Sequence, residues 1–182
     1  MKRPIIFTIG HSSHSITDFL FLLNKNGIKE LVDVRSMPGS RYAPQFNQEC
    51  LKESLKKAGI RYKYLNELGG RRKSYKDSIN LGWRNASFRG YADYMATIEF
   101  FNGLSKLIKI AGFKTTAIMC AEAVPWRCHR SLISDALSKR GWEVRDIIGP
   151  KSTVRHRLTP FLKIKKGQII YPEIKNDYKF KQ

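Results

Sequence analysis

The sequence predicts an α/β fold: one domain built on a mainly parallel sheet of about five strands, with helices on both faces and a small β-hairpin near the C-terminus. Two observations carry that prediction. Short apolar runs alternate with longer stretches whose apolar residues recur every three or four positions, the strand–helix rhythm of a parallel sheet. The chain has 182 residues, the length of one domain, and a chain of that size buries roughly 70% of its unfolded surface without staples. The α/β domain is expected over residues 1–160, with 161–182 a basic C-terminal extension rather than a second domain.

Taken in order, Pro4 to Ile9 (PIIFTI) reads as the first strand, closing at Gly10 before the loop GHSSHS. Ile16, Phe19, Leu20 and Leu23 then mark one face of a helix. Ser15, with Asp18 three residues on, is its expected N-cap, and Gly27 its stop. Glu30 to Val34 (ELVDV) is the second strand, running straight into Arg35 and the turn-rich SMPGSRYAPQF. A second helix follows from Cys50 or Leu51 to Ala58, and IRYKYL supplies a third strand. Residues 66–90 are glycine-punctuated, basic and interleaved with Tyr75, Trp83 and Phe88, without regular periodicity. Structureless loops of that length are uncommon inside a compact domain and are usually functional or mobile. Tyr91 to Ile110 reads as one helix, striped by Tyr91, Tyr94, Met95, Ile98, Phe101, Leu104 and Ile108. Thr115 to Met119 is the fourth strand, a helix to about Arg140 stops at Gly141, and Trp142 to Ile148 is the fifth strand. In FLKIKKGQIIYP the two apolar runs flanking Lys166-Gly167 predict the hairpin. The last ten residues, 173–182, are expected to be mobile.

Charge is the strongest compositional signal. Thirty-four Lys and Arg against fifteen Asp and Glu give a net charge of +19. Residues 61–90 carry eight basic and two acidic side chains and residues 151–182 carry nine and two, so these stretches hold most of the excess. A field of that sign selects polyanions, so an anionic ligand or nucleic acid is the expected partner. The N-terminal apolar run is too short for a signal peptide or a membrane span, and no membrane partner is expected. Three cysteines, Cys50, Cys120 and Cys128, are an odd set at irregular spacing. Free thiols of this kind belong to a reducing compartment, so a cytoplasmic location is expected.

The chemistry is concentrated in Thr115 to Arg130, TTAIMCAEAVPWRCHR. An apolar strand there delivers Cys120, Glu122, Arg127, Cys128, His129 and Arg130 into one strand-to-helix turn. In a parallel sheet such turns leave the carboxyl edge, where ligands bind. The loops after strands one, two, four and five share that edge. His11, Ser12, His14, Asp33, Arg35, Arg41, Cys120, Glu122, Cys128, His129, Arg130, Lys151 and Ser152 are therefore expected to converge.

Four blocks, TIGHS at Thr8 to Ser12, VDVRSMPGSR at Val32 to Arg41, ELGG at Glu67 to Gly70 and MCAEAVPWRCHR at Met119 to Arg130, resemble the family catalogued as domain of unknown function 488. The resemblance runs from about Thr8 to Ile148. It implies an α/β fold and a cytoplasmic bacterial or archaeal protein, and it names no activity. Its signature residues fall on Gly10, His11, Ser12, Asp33, Arg35, Pro38, Ser40, Arg41, Cys120, Glu122, Cys128, His129 and Arg130.

Three chemistries fit these residues. Cys120 can be a nucleophile at a strand end, its thiol pKa lowered by helix N–H groups and by Arg127 or Arg130. The six residues from Cys120 to Arg127 and the absence of glycine in the loop depart from the phosphate-cradling loops of cysteine phosphatases and rhodaneses. Zinc can be held by Cys120, Cys128 and His129 with Glu122 or His11, but seven residues between the cysteines exceed the usual structural-zinc spacing. No metal site is assigned on spacing alone, and the cofactor is left open. Finally, Asp33 and Glu122 can form a carboxylate pair of unequal pKa acting at a sugar or phosphorus centre, with His11 a base or a brace. Tyr42, Phe46 or Trp126 can stack on a base. The candidate catalytic residues are thus Asp33, Glu122, Cys120 and His11. The candidate substrate-binding residues are Ser12, Arg35, Ser40, Arg41, Arg127, His129 and Arg130. An enzyme acting on nucleic acid or a phosphorylated nucleotide-like substrate is favoured over a non-catalytic basic nucleic-acid-binding protein. Phosphate binding alone requires neither thiols nor carboxylates.

Overall fold

Strand order rather than strand content positions the site. The computed structural model describes residues 3–150 and 153–174. Its main sheet runs β3-β2-β4-β1-β5-β6, with β1 Ile5–Gly10, β2 Glu30–Asp33, β3 Arg61–Tyr64, β4 Thr116–Cys120, β5 Glu143–Ile147 and β6 Thr153–Arg155. The first five strands pair in parallel, and β6 closes one edge antiparallel to β5. β7 (Lys163–Lys165) and β8 (Gln168–Ile170) form the expected separate hairpin. The chain leaves β1 toward β2 on one side and leaves β4 toward β5 on the other. β1 and β4 are adjacent, so the topological switch point lies between them.

Helices cover both faces, as the alternation of patterns requires. α1 (Ile16–Lys25) and α2 (Gln48–Lys57) pack Phe19, Leu22, Leu23, Leu51 and Leu55 against Phe7, Ile9, Leu31, Ala117 and Met119 of the sheet. Each such fully buried side chain contributes about 1.5–3 kcal/mol of hydrophobic free energy. On the opposite face α3 (Ala86–Tyr94), α4 (Ile98–Phe113) and α5 (Arg130–Lys139) pack Tyr91, Phe100, Leu104, Leu132 and Ile133 on Ile6, Val32, Ile118 and Val144. The alternation of β-strand residues between these two cores is the period-two geometry of a strand buried on both sides. Ser15 caps α1 as expected, its hydroxyl accepting from the Asp18 amide at 3.0 Å.

One expectation is corrected. The single helix from Tyr91 to Ile110 is two helices, broken where Thr97 takes an extended backbone and its Oγ1 accepts from the Phe100 amide as an N-cap for α4. The stripe looked continuous because both helices face the same core. The mainly parallel sheet is as expected, and its edge beyond the five parallel strands carries a three-residue strand too short to show alternation. The 66–90 segment, which sequence patterning leaves unassigned, is pinned by side-chain contacts. Asp93 accepts from the Tyr75 amide, Ser78 Oγ and Asn80 Nδ2, while Trp83 stacks on Phe88 at 4.7 Å. Tyr171 from the C-terminal extension is fully buried, donating its hydroxyl to Asp135 at 2.9 Å and its amide to Asn80 Oδ1. Lys151, Ser152 and residues 175–182 of the expected mobile tail lie outside the described residues. Among the described residues no helix is long and apolar enough to cross a membrane.

Candidate functional site

The carboxyl ends of β2, β4 and β1 stand side by side, and the loops leaving them are tied to one another by backbone hydrogen bonds. His11 N donates to Cys120 O at 3.0 Å and Ser12 N to Ala121 O at 2.8 Å. Val34 N donates to Met119 O at 3.0 Å on the other side. The loop after β4 lies directly over the end of β1. A Cβ at position 10 would sit 2.0 Å from the Glu122 carbonyl oxygen, so only glycine lets this crossing form.

Under that crossing lies a closed polar bracket. Arg35 Nε donates to both Asp33 oxygens at 2.9 and 3.1 Å, and its Nη2 donates to Oδ2 at 2.6 Å. Nη2 also donates to Phe46 O, and Tyr62 Oη donates to Asp33 Oδ2 at 2.8 Å. His11 stacks on Phe46 at 4.3 Å, donates through Nδ1 to Ser12 O at 3.1 Å, and offers Nε2 to Arg35 Nη1 at 3.4 Å. Burial lowers the His11 pKa to about 4, with the neighbouring Arg35 charge acting in the same sense, so the ring is neutral near pH 7. Burial, and then Asp33, push the Tyr62 phenol well up, which keeps it a donor.

Beside the bracket is a second cluster that is not closed. The ligand atoms of Cys120, Cys128 and His129 all lie within 4.8 Å of one another. His129 Nε2 is 3.0 Å from Val34 O, a pure acceptor, so this nitrogen carries the proton and Nδ1 faces the thiols. Nδ1 is 3.5 Å from Cys128 Sγ and 3.9 Å from Cys120 Sγ. A Cβ at Gly70 would stand 2.4 Å from His129 Nδ1, and Tyr91 packs on the same ring at 5.1 Å. These contacts fix the imidazole plane. The hydrogen bond from Cys120, with the Arg130 charge acting in the same sense, pulls the Cys128 thiol pKa well below its ordinary value. The Arg130 amide at the start of α5 also points at Cys128 Sγ, 3.5 Å away. Cys120 is pushed up by the same Cys128 hydrogen bond and by burial, so Cys128 ionises first.

The trio opens into a cleft of about 530 Å³. Ser12, Arg35, Cys120, Glu122, Arg127, Cys128 and His129 from the sequence-derived set line it, and Ser36, Arg71 and Phe88 line it as well. Asp33 and His11 lie behind Arg35, not on the cleft wall. Ser40 and Arg41 do not reach the cleft: Ser40 accepts from Tyr42 N and its own amide donates to Asn47 Oδ1. Arg130 is only 1% exposed; its guanidinium donates to Thr8 Oγ1 at 3.1 Å and to the carbonyls of Glu122 and Ala123. It therefore braces the loop from inside. Phe46, considered for base stacking, is fully buried against His11 and Phe19. Tyr42 and Trp126 are exposed without lining the cleft. Sequence reasoning missed Arg71 and Gly70 as site residues, although the ELGG block followed by a basic run was the signal for both.

The family described as Domain of unknown function DUF488 matches residues 15–137. The chain belongs to the DUF488 family. The matched DUF488 segment contains β2, the Asp33–Arg35 pair, Gly70, β4 and the Cys120–Cys128–His129 turn. It leaves His11 and Ser12 just outside. No curated protein and no solved structure matches the chain.

Proposed function

We propose that this DUF488 protein is an enzyme acting on nucleic acid or a phosphorylated nucleotide-like substrate in the cleft above β4. The observation that carries the reading is the open cluster of Cys120, Cys128 and His129 on a wall that also bears Arg71 and Arg127. Two guanidinium groups in a cleft suit phosphate, which they meet through paired N–H donors. The thiols, the imidazole and the exposed Glu122 go beyond what anion binding requires, and they supply the reacting groups. Asp33 and His11 act as positioning residues. They hold Arg35, whose saturation leaves little of its donor capacity for substrate. Arg130 positions the loop, and Glu122, an exposed carboxylate whose Oε1 accepts from the Val124 amide at 3.3 Å, moves a proton.

The test is incubation with ribonucleotides, deoxyribonucleotides and single-stranded RNA and DNA, with products read by mass spectrometry. Conversion of a phosphorylated substrate is expected, lost in Cys128→Ser. Arg127→Ala should raise KM roughly ten-fold, the equivalent of about 1.4 kcal/mol of charge-assisted hydrogen bonding. Absence of conversion across all four classes contradicts the enzyme reading.

A second reading is favoured by the charge itself, +19 overall and concentrated in residues 61–90 and 151–182. A non-catalytic nucleic-acid-binding protein would show binding whose log K falls with log salt by roughly 0.7–0.9 per phosphate contacted, with no conversion and no response to Cys128→Ser.

A further inference from the structure

We propose that Cys120, Cys128 and His129 bind a zinc ion as a three-residue catalytic-type site, with its fourth position open to the cleft. A tetrahedral zinc with Zn–S of about 2.3 Å and Zn–N of about 2.0 Å holds sulfur and nitrogen roughly 3.5 Å apart. The observed Sγ to Nδ1 separations are 3.5 Å for Cys128 and 3.9 Å for Cys120, with all three atoms inside 4.8 Å. The two sulfur–nitrogen edges thus already stand close to those of a zinc tetrahedron, and the two sulfurs lie within 4.8 Å of each other.

The surroundings of His129 point the same way. A metal-binding imidazole characteristically donates its other N–H to a carbonyl or carboxylate, which fixes the tautomer and leaves a lone pair for the ion. His129 Nε2 sits 3.0 Å from Val34 O, and Nδ1 faces both sulfurs. Gly70 approaches the imidazole so closely that any side chain there would strike Nδ1. The space at the ligand nitrogen is therefore kept by sequence. Two thiolates and one imidazole are a borderline-soft set that suits zinc over magnesium or calcium. Structural zinc takes four protein ligands, whereas zinc that handles a substrate takes three and leaves one position for water. Among the described residues the cluster has three such side chains, all on the cleft wall. Glu122 lines the same wall with an exposed carboxylate whose Oε1 accepts from the Val124 amide, and it would be the nearby base for a water activated there. Sequence spacing hid this arrangement. The short 3-10 turn Pro125–Arg127 folds the chain back, so that two cysteines separated by seven residues meet.

The inference is independent of which substrate the cleft takes. The test uses untagged full-length protein, purified without chelator under reducing conditions and analysed by inductively coupled plasma mass spectrometry. Close to one equivalent of zinc is expected. Cys128→Ser and His129→Gln should each fall below roughly a tenth of an equivalent, while Cys50→Ser, altering an exposed thiol on α2, should retain it. Circular dichroism checks that the variants fold. X-ray absorption on the wild-type protein gives a second reading that needs no variant, with two sulfurs expected at about 2.3 Å. Zinc-free reduced protein that fails to take up zinc on titration overturns the proposal, as does bound zinc with only nitrogen and oxygen neighbours. Zinc bound as described in a protein that converts no nucleotide refutes the proposed function and leaves the metal site standing. Conversion by metal-free protein that Cys128→Ser abolishes does the reverse.

Discussion

Two neighbouring clusters at the same sheet edge are built from the same kinds of residue and are opposite in character. In the Asp33–Arg35–His11 bracket both carboxylate oxygens accept, five guanidinium donations are made within it or to Phe46 O, and both imidazole nitrogens have partners. In the Cys120–Cys128–His129 trio two sulfurs crowd one lone pair, and the remaining polar capacity faces the cleft. The difference teaches that a polar cluster advertises chemistry through what it leaves unfilled. A saturated network rigidifies its surroundings; an unsaturated one beside a cleft is available for a ligand. The bracket should therefore register in stability and the trio in ligand binding or turnover.

The largest effect expected from this division follows removal of the Arg35 charge. Arg35→Met leaves Asp33, which is fully buried, without its ion pair. Breaking a buried pair on one side costs about 3–5 kcal/mol. Urea unfolding should show a correspondingly lower midpoint at unchanged slope. A loss under about 1 kcal/mol would mean that the bracket is not structural and would dissolve the comparison.

Next in size is an acid sensitivity. His11 has a folded pKa of about 4 against an ordinary value of 6.5. The unfolded chain binds the proton more readily, so this contribution to stability is complete above pH 6.5 and is lost as pH falls through the window toward 4. The full span corresponds to about 3 kcal/mol, since each pKa unit is about 1.36 kcal/mol. His11→Phe keeps the stacking on Phe46 and should flatten the stability-versus-pH curve across that window. An unchanged curve would show that His11 titrates normally.

The smallest effect is expected on the other side. Cys128→Ser, measured in metal-free protein, should change stability by only about 1 kcal/mol, because the trio does not hold the fold together. A loss as large as that of Arg35→Met would erase the distinction between the clusters.

Strands buried on both faces are legible where they are free of charge, as in β1 and β4; β2 and β5 keep only short apolar cores among charged residues. β6 is a short edge strand with mostly exposed side chains, which carries no such constraint. The break between α3 and α4 is hidden because Tyr91 and Leu104 point into one core. At the site, the shared exit side of parallel strands was enough to anticipate that His11, Arg35 and the β4 turn would meet. The division of labour was not legible. Whether a guanidinium is free or spent depends on partners such as Phe46 O and His11 Nε2, which lie far along the chain or on its backbone. The meeting of Cys120 with Cys128 depends on one 3-10 turn that local pattern does not distinguish from loop.

The strand order also dictates when the site can exist during synthesis. β1 has β4 and β5 as its only sheet neighbours, and Gly10 pairs with Cys120, 110 residues downstream. β2 and β3 can pair as soon as Arg61 has been made, since Glu30 meets Arg61 in register. At roughly 5–20 residues per second on the ribosome, β1 waits about 5–20 seconds for a partner while its apolar IIFTI run is held out of any sheet. Ribosome-bound nascent chains halted before Thr115 therefore carry an unpaired strand, and a chaperone that shields such segments meets this protein in its N-terminal strand first.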